Sequence, residues 1–233
     1  MLGDCLERMR ELPDASVDMI LCDLPYGTTA CTWDNIIPFA PLWQQYWRVA
    51  KPGAAVVLTA SQPFTSALVM SQVEKFRHGW VWNKSKAANF PQVKRHPLKV
   101  HEDVLVFGGD AYRPQMTKGV ERKKGGYVTS NKDVAVSAGA PAKINDLYYP
   151  KSILDISIAG NKEIGHPTQK PVDLFSYLIR TYTDEGMTVL DNCAGSGTTA
   201  VACERTGRNW VCIERDEGYY WQAVARVMDE VAS

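Results

Sequence analysis

The sequence predicts an α/β protein built on a doubly wound, mostly parallel sheet with a small inserted segment. Three observations predict it. Short apolar runs bounded by Asp, Pro and Gly alternate with helix-period stretches in the first and last thirds of the chain. The length of 233 residues suits one such domain. From about Gly108 to Gly165 the alternation stops in a stretch rich in Gly, Lys, Pro, Ser and Asn, too long for an ordinary loop and therefore read as a functional insert.

The elements follow in order. Asp4 to Leu12 is helical, with Leu6, Met9 and Leu12 on one side. Val17 to Cys22 is a buried strand that stops at Asp23-Leu24-Pro25-Tyr26-Gly27. Pro38 to Val49 is helical, Lys51-Pro52-Gly53 reads as a turn, and Ala54 to Ala60 is a second buried strand. Pro63 to Val73 is helical, and Trp80-Val81-Trp82 and Val104 to Phe107 are two further strands. Order returns with a helix from Pro171 to Tyr182, its proline in the first turn. Thr188 to Leu190 is a strand, Gly195-Ser196-Gly197 a tight turn and Thr198 to Thr206 a helix. Asn209 to Ile213 is a strand ending at Glu214, and Gly218 to Val231 closes the chain as a helix. The division expected is 1–108, an insert at 109–165, and 166–233.

Composition excludes some classes. No run of 18 apolar residues occurs, so no membrane span is expected. The start lacks a basic segment followed by an apolar one, so no signal peptide is read and the cytoplasm is the expected compartment. The six cysteines include no Cys-x-x-Cys pair and no zinc-type spacing, so no metal is expected. Net charge is zero but unevenly spread: Lys84 to Lys151 carries +7 and the remainder −7. A basic middle segment on an acidic body fits a polyanion-binding lobe, against the plainer reading of a solvated lysine-rich insert.

Two strand ends carry the chemistry. In Asp191-Asn192-Cys193-Ala194-Gly195-Ser196-Gly197-Thr198-Thr199, small residues let backbone approach a ligand and the following helix presents its positive end. Glu214, about 20 residues on, ends the next strand, where a carboxylate can accept hydrogen bonds from ribose hydroxyls. Together they describe a nucleoside cofactor site, with a mere tight turn as the alternative. No Gly-Lys-Ser/Thr follows, which argues against a phosphate loop. In Asp23-Leu24-Pro25-Tyr26, a carboxylate beside a fixed backbone carbonyl offers two acceptors for the hydrogens of an amino group, and a ring that can stack on an attached base.

On these motifs the chain resembles the DNA amino-methyltransferases, whose catalytic motif is Asp/Ser/Asn-Pro-Pro-Tyr/Phe and whose cofactor motif is a Phe-x-Gly-x-Gly-like turn. Gly3 to Glu7, Arg48 to Gly53, His101 to Phe107, His166 to Pro171 and Asp191 to Thr199 all look like members of this family, leaving about 110–160 without a counterpart. The catalytic motif precedes the cofactor motif, an order similar to the beta class. The resemblance implies a circularly permuted, Rossmann-like methyltransferase fold whose insert recognises the target. It implies S-adenosylmethionine bound by Asp4, Cys5, Thr168, Lys170, Asp191, Cys193, Gly195, Ser196, Gly197, Thr198, Glu214 and Arg215. Of these, Asp4 would meet the adenine of the cofactor, Glu214 the ribose, Asp191 and the Gly195 turn the methionine moiety, and Thr168 to Lys170 its carboxylate. Two departures stand out: Leu24 replaces the first Pro of the motif, and Cys193-Ala194 replace the usual Pro/Phe-type residues.

The reaction implied is methylation of the 6-amino group of adenine in DNA, with Asp23, Leu24, Pro25 and Tyr26 as the catalytic set. Asp23 at the first motif position favours adenine over the 4-amino group of cytosine, whose enzymes more often carry Ser there. A non-catalytic nucleic-acid-binding protein with a decayed fold is the rival from another class, opposed by intact Asp23, Tyr26, Gly195 and Glu214. The expected phosphate partners are Lys84, Lys94, Arg95, Lys99, Arg122, Lys123 and Lys124. A homodimer is expected from the beta-class resemblance.

Overall fold

The computed structural model describes residues 1–28, 34–87, 89–124, 143–158 and 169–232. They divide into two compact units, Met1–Arg113 with Ser152–Ser233, and Pro114–Lys151.

The larger unit holds a seven-stranded sheet in the order β7-β3-β4-β2-β1-β8-β9. Its strands are β1 (Val17–Asp23), β2 (Ala50–Ala60), β3 (Phe76–Asn83), β4 (His101–Gly108), β7 (Ile153–Asp155), β8 (Thr188–Asp191) and β9 (Asn209–Cys212). Pairing is parallel except where β4 runs against β2 and β3. The doubly wound, mostly parallel sheet read from the sequence is therefore present. Alternation along the strands sends side chains to two cores. Ile20, Cys22, Val56, Leu58 and Phe107 meet α1 (Cys5–Met9), α2 (Phe39–Val49) and α3 (Phe64–Met70) on one face. Met19, Leu21, Val57, Val104 and Val106 meet α4 (Val172–Tyr182) and α5 (Thr198–Thr206) on the other. The closing helix α6 (Glu217–Ala232) packs on α5.

Three details differ from the sequence reading. Lys51-Pro52-Gly53 is not a turn: β2 already runs there, and the register jumps between Val17↔Ala50 and Met19↔Ala55, so the extra residues form a bulge. The first helix stops at Met9, whose carbonyl has no i+4 donor because residue 13 is proline; it accepts the Leu12 N–H at 3.0 Å instead, and the Arg48 guanidinium satisfies the carbonyls of Met9 at 2.6 Å and Leu12 at 2.8 Å. β7, only three residues with Leu154 alone buried, adds a sheet strand within the stretch read as unpatterned.

The smaller unit is an antiparallel pair, β5 (Thr117–Lys124) with β6 (Lys143–Tyr148). The Arg122 guanidinium lies over the Tyr148 ring at 3.9 Å, and the Tyr148 hydroxyl donates to the Val120 carbonyl at 2.7 Å. Gly119 admits this ring: a Cβ there would come within 2.8 Å of it.

Candidate active site

Strand direction gathers the candidate residues along one edge of the sheet. β1, β2, β8 and β9 all end there, with Asp23 paired to Thr59 and Asp191 to Cys212. β4 begins there, because Asp103 pairs with Ala60. From β1 the chain winds one way to β2 and from β8 the other way to β9, so the adjacent ends of β1 and β8 flank a topological switch point, where open α/β sheets place ligands.

On the β1 side, three side chains converge on one carboxylate. Asp23 Oδ1 accepts the Tyr26 hydroxyl at 2.8 Å and also the Thr59 hydroxyl. Asp23 Oδ2 accepts the Lys170 ammonium at 2.6 Å. Lys170 is buried and also reaches Glu102 at 3.4 Å, and Glu102 in turn holds the buried Lys84 at 2.9 Å. The result is a row of alternating charges, Asp23–Lys170–Glu102–Lys84, along this edge of the sheet from the end of β1 to the end of β3. Burial works against the Lys170 charge, but the attraction of Asp23 and Glu102 outweighs it and raises its pKa. The Tyr26 ring stacks on Phe64 with centroids 5.3 Å apart, and the Lys170 ammonium lies 5.7 Å from its centroid. Burial, then the Asp23 charge, pushes the Tyr26 phenol well up, so it stays a hydrogen-bond donor. The next turn is fixed by the buried Asp34, which accepts the N–H groups of Gly27 at 2.8 Å and Thr28 at 2.9 Å.

On the β8 side, carboxylates hold backbone instead. Asp191 is 2% exposed; it accepts the Cys193 N–H at 3.0 Å and the Thr199 hydroxyl. Burial raises its pKa to about 6, opposed by those hydrogen bonds. Glu214 accepts the Gly195 N–H at 2.7 Å and the Asp216 N–H at 2.8 Å, so it spans the glycine turn. The turn leads into α5 with Gly197 at φ +76°, where a Cβ would lie 2.9 Å from the Ala223 Cβ of α6. Both facts demand glycine. Arg226 of α6 donates to the Ser196 carbonyl at 3.1 Å and the Thr198 hydroxyl at 3.2 Å. The buried Tyr46 hydroxyl donates to Asn192 at 2.5 Å, tying α2 to the same turn.

The N-terminal residues complete this side. Gly3 N–H donates to the Glu214 carbonyl at 2.9 Å, and Glu214 N–H to the Met1 carbonyl at 3.0 Å. Asp4 caps α1, accepting the N–H groups of Leu6 at 2.9 Å and Glu7 at 3.2 Å. Residues 1–4 and the segment after β9 thus meet beside the glycine turn.

Comparison with known proteins supplies the family. The N6/N4 DNA methylase family model matches residues 17–225. The chain belongs to the N6/N4 DNA methylases. A protein of Escherichia coli strain K12 that carries the name methylase YubD is 30% identical, over 99% of this chain and 93% of its own length. Two solved structures share the fold. The S-adenosylmethionine complex of M1.HpyAVI aligns with TM-score 0.64 at 22% identity, covering 97% of this chain and 98% of its own. The cytosine-N4-specific PvuII DNA methyltransferase aligns with TM-score 0.66 at 16% identity, covering 99% and 90%.

In this family member the expected residues fall into distinct groups. Asp23 and Tyr26 meet directly, while the Leu24 side chain is buried and Pro25 half-buried. Asp191, Cys193, Gly195, Ser196, Gly197, Thr198 and Glu214 cluster at the glycine turn, Arg215 is exposed beside it, and Cys5 is buried in the adjoining core. Thr168 lies outside the described residues. The Lys170 side chain enters the Asp23 cluster, although its carbonyl accepts the Thr198 hydroxyl at 3.4 Å. Lys84 is 7% exposed and neutralised by Glu102, because the end of β3 is covered there; it belongs to the interior rather than to an exposed phosphate-facing surface. Lys94 and Arg95 are exposed. Lys99 is half-buried and donates to Ser61. Arg122 is exposed, and Lys123 and Lys124 contribute backbone to β5. Thr59, Glu102, Phe64 and Asp34 were not singled out from sequence. Glu102 was the most accessible of these, since a charged residue opening an apolar strand needs a counter-charge. Among the described residues no helix is long and apolar enough to cross a membrane, and no cluster of three His, Cys, Asp or Glu could hold a metal.

Proposed function

We propose that the chain transfers a methyl group from S-adenosylmethionine to the 6-amino group of adenine in DNA, after the base is flipped out. The observation that carries this reading is Asp23 at the carboxyl end of β1, adjacent to the glycine turn after β8. The residues of that turn suit the cofactor by their chemistry. The first turn of α5 offers N–H groups and a positive helix end to a carboxylate. Each oxygen of Glu214 takes one backbone N–H, leaving acceptor capacity for ribose hydroxyls. When bound, S-adenosylmethionine supplies the electrophilic methyl group.

The protein's own groups then do the positioning. The adenine amino nitrogen is a weak nucleophile because its lone pair is delocalised into the ring. Hydrogen bonds from its two N–H groups to Asp23 and the Leu24 carbonyl favour a more tetrahedral nitrogen and stabilise the positive charge developing on it. Extruding the base costs a few kcal/mol, part of which stacking on Tyr26, worth roughly 1–3 kcal/mol, offsets. Lys94, Arg95, Lys99, Arg122, Lys123 and Lys124 serve as phosphate contacts in this reading, the last three of them within a target-recognition segment at 109–165. A homodimer is part of the same proposal.

Likeness to a cytosine-N4-specific enzyme keeps the 4-amino group of cytosine as the second reading, since Asp23 can hold either amino group. Expression in a methylation-free host followed by sequencing for modified bases tests the two. Modified adenine at a defined sequence supports the first, modified cytosine replaces it with the second, and unmodified DNA removes both.

A further inference from the structure

The row Asp23–Lys170–Glu102–Lys84 contains more than a methyl-accepting site needs. Taking four charges out of water is costly, and a well-packed apolar cluster of similar volume is often as stable or more so. Its position explains it better than stability does. A carboxylate has about four lone-pair directions, two on each oxygen. Tyr26 and Thr59 occupy Oδ1 of Asp23, and Lys170 occupies one direction of Oδ2. An arriving amino group therefore finds its open direction on Oδ2, next to the Lys170 ammonium, unless it displaces a hydroxyl.

A cation beside a nitrogen that is becoming positive opposes the reaction. Glu102, 3.4 Å from the same ammonium, offsets it. Over the whole row Asp23, Lys170, Glu102 and Lys84 sum to zero: Glu102 divides its charge between the Lys170 ammonium at 3.4 Å and the Lys84 ammonium at 2.9 Å, and the end of the row that meets the amino group is the carboxylate of Asp23, the sign that stabilises the developing charge. We infer that Lys170 and Glu102 are positioning residues for methyl transfer: Lys170 tethers Oδ2 of Asp23, and Glu102 limits how strongly that positive charge acts on the amino nitrogen. This rests on the proposed function and assigns the Lys170 ammonium to the amino-group side, whereas the family resemblance had directed it to the cofactor carboxylate.

The groups facing Asp23 are Tyr26 from its own turn, Lys170 from the segment before α4, Glu102 from β4, and Cys22 and Asp191 in the adjoining core. Lys170 is held charged by its two carboxylates, and the Tyr26 phenol and Cys22 thiol are pushed up by burial, so none of these three titrates near neutrality. Asp191 does, at about 6.

Single-turnover methyl transfer, with S-adenosylmethionine and DNA each varied to saturation, separates positioning from mere support. Lys170→Met and Glu102→Gln each lower the saturated rate constant roughly tenfold, while the half-saturating concentrations of S-adenosylmethionine and DNA stay unchanged. Lys170→Arg, which keeps a cation on Oδ2 of Asp23, recovers most of the rate. A raised half-saturating concentration of S-adenosylmethionine with the saturated rate unchanged, or a Lys170→Arg rate no better than that of Lys170→Met, would overturn the inference.

A second arm needs no turnover and guards against variants that only fold poorly. Lys170→Met lowers Tm, and adding Asp23→Asn recovers part of the loss, since no unpaired carboxylate remains. Strictly additive losses would overturn the tether. If the wild-type protein methylates no DNA, the proposed function fails, and this thermal cycle still decides whether Lys170 is tied to Asp23.

Discussion

The two sides of the switch point are built by opposite means. At Asp23, long side chains from β1, β2, β4 and the segment before α4 meet one another, so the geometry exists only when the sheet is assembled. At the glycine turn, Asp191 and Glu214 grip nearby backbone N–H groups, and the geometry is largely local. The first arrangement tunes charge, while the second fixes the shape of a chain segment. Substitutions on the Asp23 side should therefore appear in the chemical step, and those on the turn side in cofactor affinity and stability.

Asp23→Ala gives the sharpest break between the two. Turnover is expected to fall on the order of 100-fold or more, with S-adenosylmethionine affinity nearly unchanged. Steady-state kinetics and calorimetry on the same preparation check both halves. A variant keeping a tenth of wild-type turnover would contradict the assignment.

Glu214→Ala should show the converse pattern. Its carboxylate already supports the Gly195 N–H, and the proposed ribose contact adds to that. Cofactor binding is expected to weaken by roughly 1.5–3 kcal/mol, read by calorimetry. An unchanged affinity would detach Glu214 from the cofactor.

Gly197→Ala tests the backbone directly. The left-handed φ of +76° and the 2.9 Å approach to Ala223 act together. A loss of about 1–3 kcal/mol in denaturant unfolding is expected. A loss below about 0.5 kcal/mol, the range of an ordinary surface substitution, would mean that the turn and α6 relax easily.

Asp191→Asn yields a smaller effect that depends on pH. Burial raises the Asp191 pKa to about 6, so the stability it contributes is fully present below the ordinary carboxylate range and is lost as pH rises through about 6. The Asn variant lacks this loss. Relative to wild type it should gain on the order of 1–2 kcal/mol between about pH 5 and pH 7.5, by unfolding at both values. A gap independent of pH would place the carboxyl in a more polar setting than its burial indicates.

This contrast also explains what was legible in the sequence. The glycine turn could be read because its determinants lie within a few residues: small side chains, two glycines, then a helix. Asp23 and Tyr26 were readable as a motif for the same reason. Lys170, Glu102 and Thr59 join Asp23 from 147, 79 and 36 positions away, through sheet pairing that no local pattern encodes. Lys84 was counted by charge among the exposed lysines, since composition carries no information on burial. The bulge at Lys51-Pro52-Gly53 looked like a turn because Pro and Gly mark both. β7 escaped because three residues with one buried side chain have no measurable period.

The central claim is that this edge of the sheet delivers a methyl group to the amino group of a DNA base, adenine by proposal. It is tested most directly with purified protein, labelled S-adenosylmethionine and unmethylated DNA, followed by enzymatic digestion and identification of the labelled nucleoside. The account predicts label in N6-methyldeoxyadenosine, abolished by Asp23→Ala. Label in N4-methylcytosine deoxynucleoside would contradict the adenine assignment, and no label in DNA would contradict the function itself.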